Sequence, residues 1–317
     1  MRLALAGDTM LGRRVAEELA TAPPTSLVAP EVAAECRRAD LFVLNLECCI
    51  SERGRPWSDP AKPFFFRAPP VAVETLAHLG ADCVTLANNH ALDFGGEALA
   101  DTLEYLDAAG IAHVGAGPNE DAARAPVVLG AAGFRLGVVG VSDHPVAFAA
   151  GPSRPGIAFG DLGRGVPDWL IAAVGSVEAD AVLVTPHWGQ NMTSEPVPHV
   201  RRAARALVDA GAALVAGHSA HVFHGVQDGV LFDLGDFLDD YAVDARLRND
   251  LGLLWFVELD ERGPRRLEAV PLKLGFCLTR PAEGADAAWI RRRFREACAA
   301  MGTEAMEEDG RLVVTWG

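Results

Sequence analysis

No apolar run in the 317 residues approaches the roughly 18–20 needed to cross a bilayer as a helix. No Cys-x-x-Cys pair occurs among the six cysteines. Cys48 and Cys49 are adjacent, Cys36 and Cys83 sit in apolar segments, and Cys277 and Cys298 lie far away. That scatter excludes a disulfide framework or a thiolate zinc site, and all six are expected to be reduced and structural. Basic residues are scarce: 28 against 43 acidic, for a formal charge of −15. Nucleic acid and anionic membranes both want a basic face, so neither is expected as a partner. A locally cation-filled site that handles anions stays possible. Gly (32) and Pro (20) fall short of the roughly 25–30% of low-complexity chains and mark discrete turns. Met1–Asp8 reaches a carboxylate after a handful of apolar residues, too few for a signal-peptide core, so a cytoplasmic protein is expected.

What is present is the balance of a packed globular protein, with 50% hydrophobic and 22% charged residues. A chain of this length buries roughly 75% of its extended surface and needs no staple. The recurring unit is an amphipathic helix, a Gly/Ala/Asp turn, a short apolar strand and a polar tip. Leu76–Asp82 leads into Cys83–Ala87 and ends in Asn88-Asn89-His90. Leu207–Ala213 leads into Leu214–Ala216 and ends in Gly217–His221; Leu41–Leu46 ends in Glu47, and Ala181–Thr185 in His187. Continuous apolar strands alternating with helices predict an α/β fold with a largely parallel sheet covered on both faces. The spacing is too irregular for a solenoid.

Pro126–Gly130 and Phe134–Val141 read as a hairpin, and Leu253–Leu259 and Leu267–Leu274 as two more strands meeting at Asp260–Pro264. These antiparallel pieces predict a second sheet packed on the first. Ala285–Ala300 reads as a surface helix with Arg291, Arg292, Arg293 and Arg295 on its solvated side. No low-complexity linker interrupts the chain, so 1–317 is expected to be a single domain: motifs within 2–240, completing strands and a terminal helix within 251–317. Two irregular stretches, Ser51–Pro70 with Phe64-Phe65-Phe66 and the Gly/Pro-rich Ser142–Pro167, are expected as pocket walls or ordered surface loops.

In open α/β sheets ligands bind at the carboxyl ends of the strands. Five strand-like runs here end in hard or borderline cation ligands: Asp8, Glu47, Asn89-His90, His187, and His218 with His221. One such tip alone reads as an ordinary buried or surface side chain. All five together match the carboxylate-plus-imidazole set that holds Zn²⁺, Mn²⁺ or Fe²⁺, and, even with His90 set aside, six candidates suffice for two bridged ions. Asp8 and Glu47 end buried strands, where unpaired charge is costly and a divalent cation would offset it.

Several stretches resemble the CapA family: Gly7-Asp8-Thr9-Met10-x-Gly12-Arg13, Asn45-Leu46-Glu47, Phe66-Arg67-Ala68-Pro69-Pro70, Leu86–Gly95 with Asn88-Asn89-His90-Ala91-Leu92-Asp93, His187-Trp188-Gly189 and Gly217-His218-x-x-His221. Those proteins are named for poly-γ-glutamate capsule synthesis and look like calcineurin-type metallophosphoesterases. The resemblance implies a two-sheet β-sandwich flanked by helices, α-β-β-α. It also implies one or two divalent ions (Mn, Fe or Zn) on Asp8, Glu47, Asn89, His187, His218 and His221, with Glu47 at the bridging position. His90 looks like the histidine facing the scissile group, with Asp93 orienting it. Arg13, Arg67 or Lys62 would hold a substrate anion.

The chain departs from those patterns in three places. The phosphoesterase Asp-x-His is Asp8-Thr9-Met10; the further His common in CapA is Ser219; and the usual Gly-Asn-Phe is Gly235-Asp236-Phe237, which adds a carboxylate. The resemblance therefore favours one well-formed metal position over two, and Mn²⁺ or Fe²⁺ over Zn²⁺. Three functions follow from it: a metal-dependent phosphoester hydrolase, a metal-dependent peptide epimerase moving an α-proton, or a non-catalytic poly-γ-glutamate binding accessory. The expected partner is a small-molecule or peptide substrate; oligomeric state is not legible.

Overall fold

The strand Arg2–Thr9 is apolar at every position from Leu3 to Ala6, which only a strand covered on both faces can use. In the computed structural model, which describes residues 1–316, it lies inside the larger of two sheets. On one side it pairs parallel with Leu41–Leu46, followed by Cys83–Thr85 and Ala112–Val114. On the other it pairs antiparallel with Leu251–Asp260, followed by Gly263–Gly275 and Arg311–Thr315. The second sheet places Phe134–Ser142, Ala181–His187, Leu214–Ala216 and Val230–Leu231 in parallel, with Val127–Ala131 closing the expected hairpin on Phe134–Ser142.

Alternation along each strand sorts the layers. Leu3, Leu5 and Val43 face the second sheet and share a core with Leu136, Val138, Leu183, Leu214 and Trp255. Ala4, Ala6, Phe42 and Leu44 face the other way, onto Val15, Val32, Leu76 and Leu99 of the helices. Beyond the second sheet, Val139, Val182 and Val184 pack on Leu170 and Val174 of helix Asp168–Ser176 and on Val200 and Leu207 of helix Pro198–Asp209. The order is helix, sheet, sheet, helix, as expected.

Sheet membership differs from the sequence reading in one respect. The C-terminal antiparallel strands extend the first sheet rather than building the second. Leu3 pairs with Val257 and Leu5 with Trp255, so the inward-facing residues of Leu251–Asp260 continue the inward face of Arg2–Thr9. An apolar run specifies that a strand is buried, not which edge it joins. The terminal helix, Gly284–Ala299, buries Ile290, Phe294 and Cys298 in the sandwich core, with the Phe294 ring 5.6 Å from that of Trp255. Arg291 on its outer side pairs with Glu307 at 3.2 Å. All six cysteines are free and buried. No helix among the described residues is long and apolar enough to cross a membrane.

Candidate metal centre

The parallel strands of both sheets deliver their carboxyl ends to one edge, and the backbone there is shaped to let side chains converge. The pairing of Arg2–Thr9 with Leu41–Leu46 skips a residue between Ala6 and Asp8. A Cβ on Gly7 would lie 1.7 Å from Gly235 O, so only glycine admits this approach, and Asp8 N donates to that carbonyl at 2.9 Å. Asp236 comes to stand beside Asp8 in a second parallel pairing. Across the edge, His187 bridges to His218, bringing the tips of two strands of the second sheet together. The turn that follows is strained: Ser219 has φ 107° and His221 φ 59°. Ser219 N donates to Asp8 Oδ2 at 3.3 Å and Ala220 N to buried Asp233 at 2.8 Å, which holds the turn in that conformation.

His218 Nδ1 lies 3.3 Å from Asp8 Oδ1 and His221 Nδ1 3.3 Å from Asp8 Oδ2. His221 Nδ1 also meets Asp236 Oδ1 at 2.8 Å, and His187 Nε2 is 3.9 Å from Glu47 Oε1. Two groups of donor atoms, Asp8–His221–Asp236 and Asp8–Glu47–His187, each lie within 4.8 Å of one another. Asp8 alone belongs to both groups, whereas Glu47, the carboxylate expected to bridge, belongs to one. Asn89 Oδ1 is buried at the same edge.

The electrostatics fit a missing positive charge. Glu47 is wholly buried, and burial followed by the charge of Asp8 raises its pKa well above the usual carboxylate range. Burial raises Asp236 likewise, with His221 opposing. Burial also acts to raise Asp8, but His218 and His221 outweigh it and hold that carboxyl low. Glu47 Oε1, Asn89 Oδ1, Asp236 Oδ2 and both ring nitrogens of His187 have no hydrogen-bond partner among the described residues. Buried polar atoms are nearly always paired, and several of these oxygen and imidazole donors belong to the two groups that share Asp8. The set fits one or two divalent cations, which would reverse the local pKa logic.

His90 stands beside this cluster with its Nδ1 2.6 Å from Asp93 Oδ2 and its ring stacked 3.8 Å from that of Phe66. Lys62 Nζ reaches Asp93 Oδ1 at 2.8 Å and also donates to Asn89 O, so it braces the dyad rather than facing substrate. Burial lowers His90 to about 4 against the pull of Asp93, leaving the ring neutral at neutral pH. A cavity of about 370 Å³ opens onto His90 and His221, walled by Phe64, Phe66, Tyr241 and Met192, with Arg13 at its side. Arg13 pairs with Asp240 at 3.2 Å and sits over three rings, 5.3 Å from Phe64, 5.5 Å from Phe66 and 5.9 Å from Tyr241.

Arg67 is not brought to this cavity. Its guanidinium covers the Phe94 ring at 4.2 Å and donates to Arg53 O. Of the two irregular stretches, 51–70 supplies cavity wall residues, whereas 142–167 packs Phe148 against Trp57 at 4.8 Å and sets the His144 ring 5.2 Å from that of His187. The opposite wall comes instead from Asn191, Met192 and Tyr241–Ala242. Three participants escaped the sequence reading. Asn45 Nδ2 donates to Asp8 Oδ1 at 2.7 Å, Tyr241 Oη donates to Glu47 Oε2 at 3.1 Å, and Asn191 Nδ2 lies 3.2 Å from His221 Nε2. Asn45 had a signal, a polar residue in an otherwise apolar buried strand; Tyr241 and Asn191 lie in loops and had none.

Residues 2–241 match the profile of the family described as bacterial capsule synthesis protein PGA_cap. A probable polyglutamine synthesis accessory protein of Mycobacterium tuberculosis is 31% identical over 294 residues, covering 86% of this chain and 76% of that one. The capsule biosynthesis protein CapA of Bacillus anthracis is 29% identical, covering 86% and 67%. Among solved structures, a phosphatase from Mycoplasma pneumoniae superposes with a TM-score of 0.52 at 13% identity, covering 86% of this chain and 93% of that one. The chain thus shares its fold with that phosphatase and belongs to the PGA_cap family.

Proposed function

We propose that this family member is a divalent-metal-dependent hydrolase acting on a phosphoester. The observation that carries the reading is the gathering of buried, unpartnered oxygen and imidazole donors at the sheet edge, next to a cavity lined by His90, whose ring is held by buried Asp93. Asp8, Glu47, Asn89, His187, His218 and His221 would hold one or two ions, with Mn²⁺, Fe²⁺ and Zn²⁺ as the candidates. When bound, such ions make a nucleophile from water at neutral pH and offset charge on phosphoryl oxygens.

The chain's own residues supply the rest. Asp93 accepts from His90 Nδ1 and fixes the ring, so Nε2 is the atom available for proton transfer. Protonated at Nε2 from solvent, His90 would act as general acid and give that proton to the leaving oxygen. Tyr241 holds Glu47 in place from the cavity side. Arg13, already half-neutralised by Asp240, offers its remaining N–H groups to a substrate anion, while Phe64 and Met192 give an apolar surface for the rest of the substrate. Met192 also borders a second cleft of about 630 Å³ lined by Thr193–Pro198, Arg201 and Arg246, so an extended substrate has room to continue. That room is consistent with relatives named for capsule and polyglutamine synthesis, whose materials are polymers.

The test is phosphate release from an aryl phosphomonoester and nitrophenol release from an aryl phosphodiester, using metal-loaded protein. Hydrolysis abolished by chelator and by His90→Gln supports the reading. Entry of solvent deuterium at the α-carbon of a peptide, with neither ester cleaved, would instead assign the site to epimerisation. Metal-loaded protein that does neither, but retains a γ-linked glutamate polymer, would leave only a binding role.

A further inference from the structure

We infer that Asp236 is itself a metal ligand in this chain, resting on the metal-site reading above. Asp236 is the first residue of the strand Asp236–Leu238, which pairs parallel with Arg2–Thr9 so that Asp236 stands directly beside Asp8. The placement is set by backbone pairing and not by a mobile loop. The side chain is 1% exposed, and its donor atom lies within 4.8 Å of those of Asp8 and His221. Oδ1 faces His221 Nδ1 at 2.8 Å, while Oδ2 has no partner among the described residues. No Lys or Arg salt bridge to Asp236 is formed among the described residues; its ion-pair contact is with His221. A buried carboxylate oxygen without a donor is costly, and a bound cation would meet it.

The neighbouring residue that could have served instead does not. Met10, two positions after Asp8, offers only a thioether, and that sulfur accepts from Gly12 N at 3.0 Å. The position formed by Asp8, Asp236 and His221 therefore carries two carboxylates and one imidazole. Its oxygen-rich donors favour a hard ion such as Mn²⁺ over Zn²⁺. The other group, with Glu47 and His187, shares Asp8 with it.

Asp236→Asn separates ligation from mere orientation. Asparagine keeps the size and an oxygen that can accept from His221 Nδ1–H, but removes the charged donor. Chelator-stripped full-length protein is titrated with Mn²⁺, reading free ion by electron paramagnetic resonance and bound ion by elemental analysis. Because the acceptor for His221 is kept and only the ligand charge is lost, the inference predicts Mn²⁺ binding weakened by at least about tenfold, whereas a purely orienting role predicts little change. Wild-type affinity and stoichiometry in a folded Asp236→Asn protein would overturn it while leaving the metal centre intact. Wild-type protein that takes up no metal would overturn the metal-site reading and this inference together. If the asparagine variant does not fold, Asp236→His keeps a ligand but exchanges oxygen for nitrogen. It is expected to move the Mn²⁺/Zn²⁺ preference towards Zn²⁺ by at least about tenfold, and an unchanged preference in that variant would overturn the assignment.

Discussion

Asn45 Nδ2 donates to Asp8 Oδ1 at 2.7 Å, and Asn45 Oδ1 in turn accepts from Asn88 Nδ2 at 2.9 Å. Asn88 Oδ1 then accepts from His90 N at 3.0 Å. A buried chain of two amides thus ties the central carboxylate of the metal centre to the turn that carries His90. The chain explains why the strand Leu41–Leu46 tolerates a polar residue that is wholly buried. Asn45→Ala removes the middle link. Metal-free protein is expected to lose about 1–3 kcal/mol in urea unfolding, and metal affinity to fall by about 10–100-fold. Wild-type values in both measurements would show that the amides are bystanders.

The dyad His90–Asp93 makes a prediction separable from metal binding. His90→Gln should lower kcat by about 100-fold or more, the usual contribution of a positioned acid–base group. Metal content should not change, because none of the donor groups that converge on Asp8 includes His90. Equal activity in the variant would remove His90 from the chemistry.

Arg13 occupies the left-handed region at φ 50° and is held by Asp240 against a set of aromatic rings. Arg13→Met keeps the apolar stem and deletes the charge. For an anionic substrate KM is expected to rise by about tenfold, the worth of one charge-assisted hydrogen bond, with kcat much less affected. An unchanged KM would mean that the guanidinium serves only Asp240.

A buried histidine away from the dyad predicts the acid sensitivity of the fold. His224 Nε2 lies 2.9 Å from Thr193 O, and burial lowers its pKa to about 4. An unfolded histidine titrates near 6.5, so between pH 6.5 and 4 the unfolded chain takes up a proton that the folded one refuses. Stability therefore falls as pH drops through that window, by up to about 3 kcal/mol from this residue. In metal-free protein, His224→Gln should lose about 2–3 kcal/mol less than wild type between pH 7 and 4.5. Parallel pH profiles for the two proteins would contradict the assignment.

The strand tips were legible because each follows a continuous apolar run, and polar ends on buried strands have few places to go. Asp8, Glu47, His187, His218 and His221 meet for that reason alone. The terminal helix was legible from its period, and it spans Gly284–Ala299. Long-range choices were not. Nothing in Leu251–Asp260 says that it pairs with Arg2–Leu5, because strand register is a property of two segments. The closeness of Asp236 to Asp8 has the same origin, although its charge was visible. Arg67 shows the other failure: its type suits an anion site, but the ring of Phe94 and the carbonyl of Arg53 claim it first. The wall formed by Asn191, Met192 and Tyr241 depends on loop conformation, which side-chain pattern does not encode.

The central claim is that the donors gathered at the sheet edge hold a divalent cation, and elemental analysis tests it most directly. Purified wild-type protein, Asp8→Ala and His218→Ala would each be stripped with chelator, reloaded with Mn²⁺ or Zn²⁺, and analysed for bound metal. The account predicts stoichiometric metal in wild type and a marked loss in both variants. No metal in wild type, or unchanged content in both variants, would contradict it and remove the basis for every catalytic role assigned above.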